Sequence, residues 1–241
     1  MKSTKLSKDI KLILNDFGIN SIVSEDMDYI DVQDEGTISY TPISKLSRIE
    51  QQGADPWKTN RVSMKVGKFL NKTFILDGPK LENVVNQFKT AFYTSKGEYD
   101  KIFSIVQGED IRFWYNEKNY VQGGGSLNGS CMKGEVSQLR LDLYTENPNV
   151  VKLLIMKEGD KLLGRALLWT FGNQHYIDRP YVRYDKDQWL YRKYAYHMKY
   201  YNYYNRGYTG GILTTKTRKA YTQLPYLDSV RYADKTLSLS I

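Results

Sequence analysis

Cysteine, histidine and proline are scarce in this sequence: 241 residues carry one Cys, two His and six Pro. A single thiol, Cys131, excludes an intramolecular disulfide and points to a reducing compartment. One Cys and two His cannot supply a Cys/His zinc site, and no other metal site is expected. No apolar run approaches the ~18 residues of a membrane-spanning helix. The opening MKSTKLSKDIKLILND is charged throughout and lacks the cleavage pattern of a secretory signal. Acid is also in short supply. Against 35 Lys and Arg stand 27 Asp and Glu, a formal charge of +8 and a pI near 9.2. A basic balance favours anionic partners, nucleic acid first and an acidic membrane surface second. What the chain does have is apolar and aromatic mass. Hydrophobic residues make up 41% and aromatics 14%, with 21 Tyr against eight Phe, which excludes a disordered chain.

The length suits one large domain or two small ones. Leu6, Ile10, Ile13, Leu14 and Phe17 predict a helix over 5–17 that stops at Gly18. YIDV (29–32) and TISYT (37–41) predict two short strands joined by QDEG. DPWKTNRVSMKVGKFLNKTF (55–74) has helical period, with Val62, Val66, Phe69 and Leu70 on an apolar stripe. A further helix begins near Asp77 and Pro79 and turns Leu81, Val84, Val85, Phe88 and Phe92 inward. KIFSIV (101–106) predicts a strand, and 108–120 and 135–148 predict helices. VVKLLIM (150–156), the turn KEGD and KLLGRALLWT (161–170) form the strongest hairpin signal in the chain. Both runs are apolar on both faces, so Leu153, Leu154, Ile155, Leu163, Ala166, Leu167 and Leu168 are expected in the core. QHYIDRPYV (174–182) predicts a third strand. A long helix is expected from 185 to 206, then a strand near 211–216, a Tyr/Pro-rich loop and an end segment LSLSI. The expected class is α+β: a central, mainly antiparallel sheet flanked by helices, occupying 97–241. Residues 1–96 form an N-terminal helical and hairpin region that could be a subdomain.

QGGGSLNGSCMKG (122–134) holds five of the 18 glycines around the only cysteine. Gly124 and Gly129 have the spacing of a phosphate-binding loop, but Ser130 and Cys131 stand where Lys and Ser/Thr are required. A Gly-x-Gly-x-x-Gly dinucleotide fingerprint in βαβ context is absent too. Acetyl transfer from coenzyme A would need a glycine turn before the long helix, and RYDKDQWLY has none. No cofactor is expected. Cys131, at a predicted helix N-terminus, could be an activated nucleophile with His175 as its base. The competing expectation is a packed, structural cysteine that labels slowly. Asp178 lies three residues beyond His175, on the opposite strand face, and cannot orient it.

Two segments suit nucleic acid. Lys58, Arg61, Lys65, Lys68 and Lys72 recur at helical spacing with no acid between them, a candidate phosphate-facing stripe. WLYRKYAYHMKYYNYYNRGY (189–208) interleaves eight Tyr with Arg192, Lys193, Lys199 and Arg206. Tyr196, Tyr200 and Tyr203 would stack on unpaired bases while the cations hold the backbone. A protein partner suits the same composition.

EDIRFWYNEKNY, LNGSCM, LYTENPNVVKLLIMK, GRALLW, DRPY and LPYLDSVRY occur here in the order found in a group of uncharacterised proteins of large tailed bacteriophages, which this chain resembles over about 65–241. The Tyr-rich segment and His175 lie outside that pattern. The resemblance implies a phage-encoded protein of the infected host's cytoplasm or of the virion. The expected function is a soluble binding protein that contacts nucleic acid through the basic and Tyr-rich helices. The alternatives are a virion or host-takeover protein that binds other proteins, and a Cys131-dependent enzyme.

Overall fold

The computed structural model describes residues 27–74, 78–202, 212–214, 225, 228, 231–232 and 238–240. The helix expected over 5–17 lies outside the described residues. The chain divides into two compact units, Met1–Glu98 and Tyr99–Ile241, and the fold is α+β.

In the first unit, β1 (Met27–Val32), β2 (Thr37–Pro42) and β3 (Val62–Lys65) form an antiparallel sheet in that order. The turn after β1 is closed by the Gln33 amide, which donates to the Thr37 carbonyl at 2.9 Å. α1 (Ile43–Gln51) connects β2 to β3, and α2 (Val66–Phe74) and α3 (Gly78–Lys96) follow β3. Ile30, Ile38 and Tyr40 of the sheet pack with Val66, Phe69 and Leu70 of α2 and Phe88, Ala91 and Phe92 of α3.

The single helix expected over 55–74 is not what forms. The Asp55 carboxylate accepts from the Trp57 amide at 2.9 Å and the Asp55 carbonyl from the Lys58 amide at 3.0 Å, which folds 55–59 into a turn. Asn60 then takes a left-handed φ of 55°, a conformation that Asn tolerates and that ends any helix. Val62–Lys65 pair with Thr37–Tyr40, and only from Val66 does the chain coil. Tertiary pairing and local turn chemistry override the helical period.

The second unit is built on a six-stranded sheet. Its path is β4 (Phe103–Val106), β5 (Val151–Glu158), β6 (Lys161–Phe171), β7 (Gln174–Ile177) and β9 (Tyr201–Asn202), with β8 (Tyr181–Val182) also pairing β6. All pairs are antiparallel except β7 with β9. The β5–β6 hairpin forms as its sequence predicts, with Gly159 at φ 57° supplying the left-handed turn residue. Strand alternation divides its side chains between two cores. Val151, Leu153, Ile155, Leu167 and Trp169 enter one core, and Leu154, Met156, Ala166 and Leu168 the other. Of the seven expected core residues, only Leu163 is half-buried; the rest are buried.

The first core is covered by α4 (Glu109–Tyr115), the segment 120–132, a 3-10 stretch Glu135–Leu141 and α5 (Asp142–Thr145). The helix expected over 135–148 is therefore mostly 3-10. The opposite core is covered by Tyr99 and by α6 (Gln188–His197) through Leu190, Tyr191, Tyr194 and Ala195. β10 (Ile212–Thr214), β12 (Ser238–Ser240) and β11 (Arg231–Tyr232) pair in that order as a small separate sheet.

α6 is about half the length expected, because a Schellman turn stops it. The Tyr200 amide donates to the Ala195 carbonyl at 2.8 Å and the Lys199 amide to the Tyr196 carbonyl at 3.2 Å. Lys199 occupies the left-handed position of that turn at φ 57°, where glycine is usual.

Candidate functional site

The basic stripe does not assemble on one helix face. Lys58 lies in the 55–59 turn, 3.8 Å from Asp55. Arg61 precedes β3 and is half-buried. Its guanidinium donates to the Tyr29 carbonyl and the Ser39 and Thr41 hydroxyls, so its role is to tie β1 to β2. Lys65 ends β3. Only Lys68 and Lys72 share a helix, four residues apart and exposed.

The Tyr-rich segment is divided as well. Tyr191 and Tyr194 are core residues. Burial pushes the Tyr194 phenol up to about 12. Tyr200 is half-buried, with its ring 6.1 Å from Tyr194 and 5.1 Å from His175. Tyr203 and Arg206 lie outside the described residues. What remains outside is Tyr196, at 88% exposure the most exposed large hydrophobic side chain described. Around it in sequence stand exposed Arg192 and Lys199, and Tyr201 at 40% exposure. Lys193 lies with its ammonium 4.6 Å over the Trp189 ring. No Asp or Glu occurs from 188 to 202.

Cys131 and His175 are not brought together. Cys131 sits between Ser130 and Met132 in the layer over the first core. His175 packs on the opposite sheet face, where it meets the Thr170 hydroxyl at 3.2 Å and the Tyr200 ring. Cys131 itself is exposed. The expectation of a packed thiol is therefore corrected: Ser130 and Met132 are buried and the cysteine between them points away.

The glycines of 122–134 serve close packing. A Cβ on Gly125 would lie 2.4 Å from the Arg183 carbonyl oxygen and 2.5 Å from that of Val182. The Gly125 and Leu127 amides donate to those same two carbonyls, at 2.8 and 3.0 Å. The loop is laid against the chain at β8 and has its amides committed there, which leaves no phosphate cradle.

That strap holds one wall of a pocket the sequence did not single out. Arg165, in the middle of β6, is 2% exposed. Its parity with Leu167 and Trp169 turns it into the first core. There its guanidinium carbon lies 3.7 Å from the Tyr115 ring centre, 5.1 Å from that of Tyr181 and 5.8 Å from that of Tyr120. Nη2 donates to the Ser130 hydroxyl at 2.9 Å and Nε to the Tyr120 hydroxyl at 3.3 Å. The pocket beside it is lined further by Met132, Tyr144, Asp178, Arg179 and Asp228. Asp178 is 3% exposed. Its carboxylate accepts from the Arg179 amide at 2.7 Å and the Trp169 indole at 3.3 Å. Burial pushes Asp178 up to about 7, the two hydrogen bonds and Arg179 pull it back, and Asp228 adds to the rise. At the rim the Tyr181 hydroxyl donates to Asp228 at 2.7 Å. Burial first, and this bond second, raise the Tyr181 phenol.

Among the described residues no group of His, Cys, Asp and Glu is placed to hold a metal ion, and no helix is long and apolar enough to cross a membrane. No protein-family model, curated protein or solved structure matches the chain.

Proposed function

We propose that the protein is a phage-encoded binding protein that contacts single-stranded nucleic acid through the end of α6. The observation that carries this reading is Tyr196, 88% exposed, in a stretch rich in cations and free of acids. An exposed aromatic ring costs solubility and contributes nothing to a core; its flat face suits a base, and cations one helical turn away suit the adjoining phosphates. Arg192 is four residues before Tyr196, on the same helix face. Lys199 and Tyr201 follow it across the Schellman turn. The net charge of +8 acts in the same direction at long range. Lys68 and Lys72 are too few to be a primary site and would add general attraction only.

The test is fluorescence anisotropy with labelled single-stranded homopolymers over a series of salt concentrations. Tyr196→Ala should weaken binding by ~1–3 kcal/mol with little change in salt slope. Arg192→Gln with Lys199→Gln should flatten the log–log slope by about 1.4, at roughly 0.7 per phosphate contact. If the protein binds neither single strand nor duplex at low salt, this reading fails.

A second reading, a protein partner, is favoured by a different surface. Val136 and Leu139 on the 3-10 stretch are 79% and 64% exposed, and Phe113 on α4 is 50% exposed. Arg112 joins these two elements, bonding Glu109 and Asp142 at 2.9 and 2.8 Å and the Gln138 carbonyl. Clustered exposed apolar side chains of this kind mark contact surfaces.

A further inference from the structure

Among the described residues of the second unit, Arg165 is the buried cation of the sheet. The guanidinium is permanently protonated, and burying it is expensive unless it is paired. Among the described residues, no carboxylate lies within salt-bridge distance of it, and Nη1 has no hydrogen-bond partner. Three Tyr rings lie against it, and cation–π contacts of that kind return part of the cost. They cover its faces and leave its edge. Nε and Nη2 each have one hydroxyl partner, so the donors still unmatched lie at the Nη1 end of the fork, and Arg165 lines the pocket.

We propose that this pocket is a binding site for the carboxylate group of a small ligand, taken by the free edge of Arg165. Fork geometry is the first reason: two parallel N–H donors match the two oxygens of a carboxylate. Size is the second. The pocket's volume is about 20 Å³, room for one or two waters at roughly 10–15 Å³ each; a planar carboxylate fits where a tetrahedral phosphate is crowded. Charge is the third. The charged and titratable groups lining the space are Arg165, Arg179, Asp178 and Asp228, with the phenols of Tyr115, Tyr144 and Tyr181. Asp178 is raised to about 7 by burial, so near neutral pH it is partly uncharged and leaves Arg165 without full compensation. A single negative charge balances such a site, and a dianion would overfill it beside Asp228. The rest of the ligand would leave past Arg179, which is exposed, and Asp228, which is half-exposed. This site is separate from the α6 surface and does not depend on it.

Titration calorimetry of the full chain with acetate, acetamide, chloride and phosphate at constant ionic strength tests this. Acetate should saturate one site per chain and bind at least about ten-fold tighter than acetamide, the loss expected when one charge-assisted hydrogen bond is removed. It should also bind more tightly than chloride and phosphate. Arg165→Gln should abolish saturable binding. Because that variant removes a core side chain and could fail to fold, Asp228→Asn is the second arm. It keeps an acceptor for Tyr181 and removes a rim charge that opposes the ligand, so acetate should bind about three-fold or more tighter. No saturation by roughly 100 mM acetate, a range covering even Kd values ten-fold weaker than millimolar, would overturn the proposal. So would acetamide, chloride or phosphate matching acetate, or an unchanged affinity in Asp228→Asn.

Discussion

Asp178 should make the protein less stable as pH rises, and the structure sets the size of the effect. Its carboxyl is 3% exposed and is pushed from an ordinary 3.8 up to about 7, chiefly by burial. The sign follows from proton counting. Between about pH 4 and pH 7 the folded chain holds a proton at this site that the unfolded chain has lost, so stability falls as pH rises through that window. Below it both states are protonated and no penalty exists; above it the penalty is complete. Three pH units at about 1.4 kcal/mol each put the upper limit near 4 kcal/mol. Asp178→Asn cannot titrate. It keeps an oxygen for the Arg179 amide but loses the second acceptor facing the Trp169 indole, a cost of about 1 kcal/mol. The variant should therefore be slightly less stable than the wild type near pH 4 and more stable by about 2–3 kcal/mol near pH 8. Urea unfolding of both proteins at several pH values gives the difference directly. The difference is the right quantity, because Asp187 is also raised by burial and contributes a slope of the same sign to both proteins. A difference that stays constant within about 0.5 kcal/mol over this range, the scatter of such extrapolations, would show that Asp178 is ionised at no cost and that its surroundings are more polar than the geometry indicates.

Other expectations follow from single contacts. Leu154→Ala, at a fully buried position between β4 and β6, should cost ~2–5 kcal/mol in urea unfolding. Gly164→Ala would place a Cβ 2.8 Å from the Tyr191 hydroxyl and 2.9 Å from a Val182 methyl, so it should lose ~1–3 kcal/mol by overpacking; pairing it with Tyr191→Phe should recover part of that. Lys199→Gly relieves the left-handed strain of the Schellman turn and should raise the thermal midpoint, by about 1 kcal/mol of stability, while weakening nucleic-acid binding through the lost charge. Cys131 should label completely and without unfolding with a thiol reagent, and Cys131→Ser should change stability by less than about 0.5 kcal/mol.

The parts of the fold that were legible are those where one signal acts alone. The β5–β6 hairpin is two apolar runs around Glu-Gly-Asp, and nothing in the fold competes with that pairing. Residues 55–74 carry two signals at once. Val62, Val66, Phe69 and Leu70 satisfy a helical period, yet Val62 is half-buried as part of a strand and the other three are buried on a helix. The spacing of four between Val62 and Val66 arises from a short strand followed directly by a helix. Asp55, Pro56 and Asn60 were the local markers of the break. The early end of α6 had no glycine to mark it, since Lys199 itself accepts the strained left-handed position. Tyr200 offsets that strain by packing back on Tyr194.

The Arg165 pocket escaped the sequence reading for a different reason. Tyr115, Ser130, Tyr144, Arg165, Asp178 and Asp228 are spread over more than a hundred residues, and no spacing rule links positions that only a sheet brings together. One signal was present all the same. In KLLGRALLWT every neighbour of Arg165 is apolar or small, and the run is apolar on both faces. A cation there must be buried, since no face of a central strand is open to it. Burying a charge without a counter-charge is costly, and apolar replacements of buried charged groups are often neutral or stabilising, so its presence is costly as packing alone. The segments EDIRFWYNEKNY, LNGSCM, LYTENP, GRALLW, DRPY and LPYLDSVRY supply every residue that lines the pocket. The same segments also build the first core, so their convergence alone does not separate packing from binding. The proposed distinction rests on Arg165: an apolar residue would fill that core position without the cost of desolvating a charge, and a carboxylate ligand would use the guanidinium edge that no described side chain satisfies.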